Sequence, residues 1–386
     1  MIITMTTAVF IGGGSLLIRC AEAYRQAGHT VQAVVSDNPQ ILRWAREQEI
    51  RALPMGDPAT LELDGLDFDY LFSVANLRIL PAALIASARQ LAINFHDALL
   101  PRYAGLNAPA WALLAGESTH GVTWHEMTPE VDAGRIVRQS GFAMAADETA
   151  LSLNTKCYEA GLASFQALLE DLNHGRLTLT PQQGSAEYMG AAARPPALGT
   201  LDFTGTAAGL ARVVRALDFG PHPYLNPLAR PKIFTGEQLL LVRTAQVIAS
   251  PVQAYPGTVL GVQGDRVEVA TADGVVVLGG CTDLAGQPHT LRSGMLLPAL
   301  SEEIKAALAG RILQVGRGEA FWFDAHARLA PLAWPYPQQL ALAKPGSGVA
   351  EPWIFPLQVA AQGERSVAGL LSWLSMLTGQ SRLSVF

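Results

Sequence analysis

Asn94 and His96 stand two residues apart in the apolar stretch Ile93-Asn94-Phe95-His96. In a strand, residues i and i+2 share a face, so an amide and an imidazole emerge together. A turn-rich segment follows at Pro101, Gly105 and Pro109. A second strand pattern, Gly121-Val122-Thr123-Trp124-His125, comes next, and then an acid in a loop, Asp132-Ala133-Gly134. Amide, imidazole and carboxylate together suit acyl transfer to a nucleophile. The acid orients or charges the imidazole, the imidazole manages a proton, and the amide donates to a developing oxyanion. His125 ends its strand and reads equally as a packed histidine or a functional one.

The elements that must hold these groups are legible upstream. Residues 8–11 read as a buried strand that ends in Gly12-Gly13-Gly14, followed by a helix from about Leu16 to Ala27 and a strand over 31–35. A helix near 39–47, a strand near 70–74, a helix near 81–87 and a strand near 92–95 continue the alternation. Strand and helix in alternation imply a Rossmann-like α/β fold with a parallel sheet. Sites in such sheets lie at the carboxyl ends of strands, where Asn94 and His96 fall. A longer helix is expected from about Thr149 to Asn173.

Other chemistries fit less well. A dinucleotide fingerprint G-x-G-x-x-G needs glycine at position 17, where Leu17 stands, so the glycines read as a tight strand-to-helix turn. His120 and His125 are five apart, which does not match the helical zinc motif, and no metal site is assigned, although His96, His125 and Asp132 have metal-compatible chemistry. There is no G-x-S-x-G elbow and no P-loop. The net charge of −6 over 386 residues argues against a broad phosphate-binding surface, and no nucleic-acid partner is expected. Cys20, Cys157 and Cys281 are far apart and read as reduced and buried, consistent with cytoplasm. No apolar run reaches the roughly 18 residues of a membrane span, and the first residues lack a basic signal-peptide region.

The block from Asn94 to Gly134 resembles the formyltransferases that use 10-formyltetrahydrofolate. That superfamily runs Asn-x-His, Leu-Leu-Pro-x-x-x-Gly, Gly-x-Thr-x-His and Asp-x-Gly. Here these are Asn94/His96, Leu99-Leu100-Pro101 with Gly105, Gly121/Thr123/His125, and Asp132/Gly134. Asp97 stands where many members carry proline, and Ala98 where many carry serine. The version with Pro101-Arg102-Tyr103-Ala104-Gly105 is most similar to formylation domains of nonribosomal peptide synthetases. The resemblance implies catalysis by Asn94, His96 and Asp132, with 10-formyltetrahydrofolate as co-substrate. It also implies a folate pocket lined by Leu77, Arg78, Ile79, Leu80, Ala92, Thr128, Glu130 and Val131. The implied acceptor is an aminoacyl group carried on phosphopantetheine. Alternatives are a free small amine, such as an amino sugar or hydroxyornithine, and methionyl-tRNA. Hydrolysis of the formyl-folate and a catalytically idle docking domain are competing functions.

Three regions are expected: a catalytic domain over 1–190, a β-rich, barrel-like subdomain over 195–292, and a tail over 300–386. Leu201-Asp202-Phe203 and Arg215-Ala216-Leu217 resemble the start of the family's second domain, and strand patterns follow near 239–242, 257–262, 267–271 and 275–278. Residues 301–313 read as an amphipathic helix. Phe321-Trp322 and Leu332-Ala333-Trp334-Pro335-Tyr336-Pro337 resemble the start of a condensation-type region. The expected context is therefore a piece of a longer synthetase with downstream modules.

Overall fold

The computed structural model describes residues 5–61, 63, 65–220, 228–248, 252–283, 286–307 and 309–310. The expectations for the condensation-like segments and for a synthetase tail lie outside these residues.

Five strands open the chain: β1 (Thr7–Gly12), β2 (Thr30–Ser36), β3 (Arg51–Pro54), β4 (Tyr70–Val74) and β5 (Leu91–His96). After the short β6 (Ala104–Gly105) come β7 (Thr119–Glu126) and β8 (Ile136–Ala143). The main sheet has the order β3-β2-β1-β4-β5-β7-β8. Its first five strands are parallel. The last two are antiparallel, so the sheet is mixed rather than wholly parallel. β3 and β8 were not legible as strands.

Both faces of the central strands are covered, which is why they read as continuous apolar runs. Alternate residues serve opposite layers. Ala8, Phe10, Phe72 and Ile93 pack in a core with Phe165 and Trp124, under α1 (Gly14–Gln26) and α5 (Ala150–Asn173). Val9, Ile11, Leu71 and Ala92 pack on the other side with Leu80 and with Leu84 of the short α3 segment (Ala82–Ile85). Asn94 and His96 share the parity of Ala92, so they emerge on that second face.

Local signals set the helix ends. Asn38 caps α2 (Pro39–Glu47) by accepting from the Gln40 N–H. Thr149 and Ser152 cap each other reciprocally at the start of α5. Gly12 has φ +137°, and a Cβ there would strike the Val74 carbonyl, so β1 turns into α1 only with glycine.

The reversal at β7 has a packing cause. α4 (Ala108–Ala115), between β5 and β7, does not cross a sheet face. Its Ala108, Trp111 and Ala112 pack with Leu153 and Leu217. The chain therefore stays at the end where β5 finishes, and β7 runs back along it. This places His125 opposite Asn94 and Thr123 opposite His96.

Beyond β9 (Tyr188–Met189), α6 (Ala207–Ala216) leads to β10 (Lys232–Phe234), β11 (Leu239–Leu241), β12 (Thr244–Ile248), β13 (Val259–Gln263), β14 (Arg266–Ala270) and β15 (Val275–Gly279). These form an antiparallel pair β10-β11 and a four-stranded antiparallel sheet β12-β15-β14-β13. The expected β-rich part is present in this form, with its own core of Leu201, Phe203, Leu210, Val259, Val276 and Leu297. Residues 302–307 are helical, as expected for the start of that segment. Among the described residues, no helix is long and apolar enough to cross a membrane.

Candidate active site

The carboxyl end of β5 opens into a cavity of about 440 Å³. Asn94, His96, His125 and Asp132 all line it, so the amide, imidazole and carboxylate separated in sequence meet in space. A larger cavity of about 580 Å³ lies between β8 and α5, but it holds none of these groups. The chemistry therefore locates the site, not the volume.

Asp132 is the hub. Its Oδ2 accepts from the Gly105 N–H at 2.8 Å and lies 3.5 Å from His96 Nδ1. Its Oδ1 lies 3.4 Å from His125 Nε2. Burial alone would raise the Asp132 carboxyl. The His125 hydrogen bond, the charges of His96 and His125, and the Gly105 N–H outweigh it, holding the carboxyl below its ordinary range. The loop that carries Asp132 is fixed at its backbone. Gln182 Nε2 donates to the carbonyls of Asp132 and Gly134, each at 2.7 Å.

Each imidazole has its outer nitrogen committed. His96 Nε2 donates to the Tyr103 carbonyl at 2.8 Å, which turns Nδ1 toward Asp132. His125 Nδ1 donates to the Glu126 carbonyl at 2.9 Å. Its Nε2 lies 3.1 Å from Asn94 Nδ2. In the neutral ring that nitrogen accepts from Asn94; protonated, it donates to Asp132 instead. His125 thus belongs to the cluster rather than to the core, and the neutral ring holds the Asn94 amide with its second N–H available.

Backbone strain concentrates here. Among the described residues, seven non-glycines have positive φ: Glu49, Ala75, Tyr103, Asn107, Asp132, Ala197 and Leu198. Ala75, Asn107 and Asp132 line the cavity, and Tyr103 supplies the carbonyl that His96 needs. Such conformations cost of order 1–3 kcal/mol each and persist where surrounding structure enforces them, often at functional sites.

The segments expected to bind folate form one wall. Leu77, Arg78, Ile79, Leu80, Thr128, Glu130 and Val131 line the cavity. Leu77 and Ile79 are 78% and 73% exposed at the mouth, whereas Leu80 is buried. The Arg78 guanidinium pairs with Asp37 at 2.8 Å, and the Arg78 backbone N–H donates to Asn76 Oδ1. Ala92 is not part of the lining. It is buried beneath, and its carbonyl accepts from the Met127 N–H at 2.8 Å, which ties the start of the 127–131 segment to β5.

Several contributors escaped the sequence reading. Asn107, Asn154, Tyr158, Tyr188 and Phe219 line the cavity from distant elements. Nothing local marks them; only the β6–β9 pairing and the packing of α5 bring them near. Gln182, fifty residues from Asp132, is equally invisible. Tyr103 and Gly105 had a signal, since both lie in the turn just after His96. No group of three or more His, Cys, Asp or Glu among the described residues is arranged to hold a metal ion.

Residues 5–169 match the formyl transferase family model. Solved structures share the fold. WlaRD, a sugar 3-N-formyltransferase determined with dTDP and 5-N-formyl-THF, is 17% identical, with a TM-score of 0.55 over 73% of this chain and 98% of that one. The N-formyltransferase of Helicobacter canadensis, determined with folinic acid and dTDP-3-aminofucose, is 17% identical, with a TM-score of 0.54 over 72% of this chain and 99% of that one. HypX of Aquifex aeolicus, in complex with tetrahydrofolic acid, is 21% identical, with a TM-score of 0.51 over 71% of this chain and 44% of that one.

Proposed function

We propose that this chain transfers a formyl group from 10-formyltetrahydrofolate to a primary amine, and that the amine belongs to an aminoacyl thioester held on a carrier protein. The convergence of Asn94, His96, His125 and Asp132 on one cavity carries this reading. The two segments expected to hold folate line the same cavity.

In the reaction the neutral amine attacks the formyl carbon, and the carbonyl electrons move to oxygen. The bond to the folate nitrogen then breaks. The proton lost by the amine goes to that nitrogen, leaving a formamide and tetrahydrofolate. Asn94 uses one N–H on His125 and the other on the developing oxyanion. His96 donates through Nε2 to the Tyr103 carbonyl and presents Nδ1 to Asp132, which fixes the ring beside the reacting carbonyl. Its proton exchange with the reacting amine runs with Asp132 as its partner. Asp132 orients both rings.

A free small amine is the second reading, favoured by the fold shared with two sugar N-formyltransferases. The test incubates protein and 10-formyltetrahydrofolate with either aminoacyl-carrier protein or free amines, following tetrahydrofolate release and product mass. A formyl mass gain on the carrier-bound amine alone supports the first reading. A gain only on free amines supports the second. Release without any amine indicates a hydrolase and contradicts both.

A further inference from the structure

The turn after β5 holds two members of the Asp132 cluster at once. The Tyr103 carbonyl accepts from His96 Nε2 at 2.8 Å, and the Gly105 N–H donates to Asp132 Oδ2 at 2.8 Å. The placement of imidazole against carboxylate therefore follows the shape of residues 103–105. The far side of this turn is held by backbone. Ala104 and Gly105 pair with Tyr188 and Met189, and the Leu106 N–H donates to the Met189 carbonyl at 2.8 Å. The near side rests on a side chain. Tyr103 has φ +56°, a left-handed conformation that a bulky residue adopts only when it is held there. Its side chain is buried, and its hydroxyl donates to Glu117 Oε1 at 2.8 Å. Arg102 Nη2 donates to the same carboxylate oxygen and, at 3.1 Å, to the Tyr103 hydroxyl. The Arg102 guanidinium also lies over the Tyr103 ring, 5.1 Å from its centroid.

Glu117 is anchored from outside the cavity and is not among its described lining residues. It follows the left-handed Gly116 that ends α4. The Gly116 N–H donates to the Leu113 carbonyl at 2.9 Å and the Glu117 N–H to the Ala112 carbonyl at 3.1 Å, the paired bonds of a Schellman cap. The carboxylate is thus tied to a packed helix. The Arg102 hydrogen bond, joined by that of Tyr103, outweighs partial burial and holds the Glu117 carboxyl below its ordinary range, so it accepts at neutral pH. We infer that Glu117 is a positioning residue: fixed at the end of α4, it holds the Tyr103 side chain and, through it, the carbonyl that turns His96 Nδ1 toward Asp132. The effect on rate rests on the formyl-transfer reading, whereas the alignment of His96 does not.

The experiment compares wild type with Glu117→Ala, Glu117→Gln, Tyr103→Phe and the double variant Tyr103→Phe/Glu117→Ala. Turnover is measured with 10-formyltetrahydrofolate and valyl-pantetheine. Hydrogen exchange of the His96 Nε2 proton is measured by NMR on histidine-labelled protein, with the resonance assigned by its absence from His96→Ala. Glu117→Ala and Tyr103→Phe should each lower kcat about 10-fold with the folate KM within about twofold. The double variant should fall within about twofold of either single one, because all three remove the same contact. Glutamine still accepts from the Tyr103 hydroxyl, so Glu117→Gln should keep kcat within about threefold. The His96 proton should exchange at least about 10-fold faster in Glu117→Ala and Tyr103→Phe than in wild type or Glu117→Gln. A residue that merely ended α4 would move neither this proton nor kcat against KM. Wild-type kcat and exchange in both Glu117→Ala and Tyr103→Phe overturn the inference, and so does an additive loss in the double variant. If wild type formylates no amine, the formyl-transfer reading fails and the His96 proton alone decides. Faster exchange in Glu117→Ala and Tyr103→Phe then supports the inference, and unchanged exchange overturns it.

Discussion

The proton arrangement around Asp132 gives each surrounding residue a distinct signature. Asn94 lies beside His125, and its N–H donor role follows from that partner. Asn94→Ala should lower kcat about 100- to 1000-fold, the usual loss for one oxyanion donor. His125→Ala leaves Asn94 without its anchor and should lower kcat about 10-fold with a smaller change in folate KM, read by steady-state kinetics. Equal losses in kcat and KM would show His125 to be a binding residue instead. Asp132 makes a prediction about stability. Its folded carboxyl titrates below its ordinary value, so the unfolded chain binds more protons in acid. The contribution is full above about pH 4, the unfolded value, and is lost as pH falls through the lower folded one. Asp132→Asn should therefore lower the urea midpoint at pH 7, with the gap to wild type closing toward pH 3. A constant gap would contradict this. These residues were legible because their types and spacing are unusual within a short stretch. His125 was ambiguous because only the strand register, which places it opposite Asn94, distinguishes it from a packed histidine.

At the level of elements, the Asp132 loop depends on Gly134. A Cβ there would fall on the Glu126 carbonyl, just where the loop rejoins β7. Gly134→Ala should lower kcat at least about 10-fold by moving Asp132, while far-ultraviolet circular dichroism stays native. Full activity would show that the loop has slack. The central strands and α1, α2 and α5 could be read because apolar periodicity and end caps agree. β3 escaped because its four residues, Arg51–Pro54, are half-exposed and end in proline. β8 escaped because, as the edge strand, it alternates between half-exposed and exposed positions without an apolar face. The direction of β7 depends on where α4 packs, which no local pattern records.

At the level of the whole molecule, the negative net charge disfavours recognition through phosphate. If the acceptor is recognised by apolar contact, its KM should change less than about twofold between roughly 50 and 300 mM salt, because few screened charge contacts are involved. A phosphate-recognising site would lose far more affinity over that range. The rest of the cavity wall was not legible. Leu106, Tyr158, Tyr188 and Phe219 come from separate elements and converge only in the folded chain.

The central claim is amine-dependent formyl transfer by the His96–Asp132 cluster. The most direct measurement is single-turnover release of tetrahydrofolate, with product mass, from wild type and His96→Ala given 10-formyltetrahydrofolate and valyl-pantetheine. The account predicts stoichiometric release coupled to a formyl mass gain in wild type, with a rate at least about 100-fold lower in His96→Ala. Equal rates in the two proteins, or release without formylated product, would contradict it.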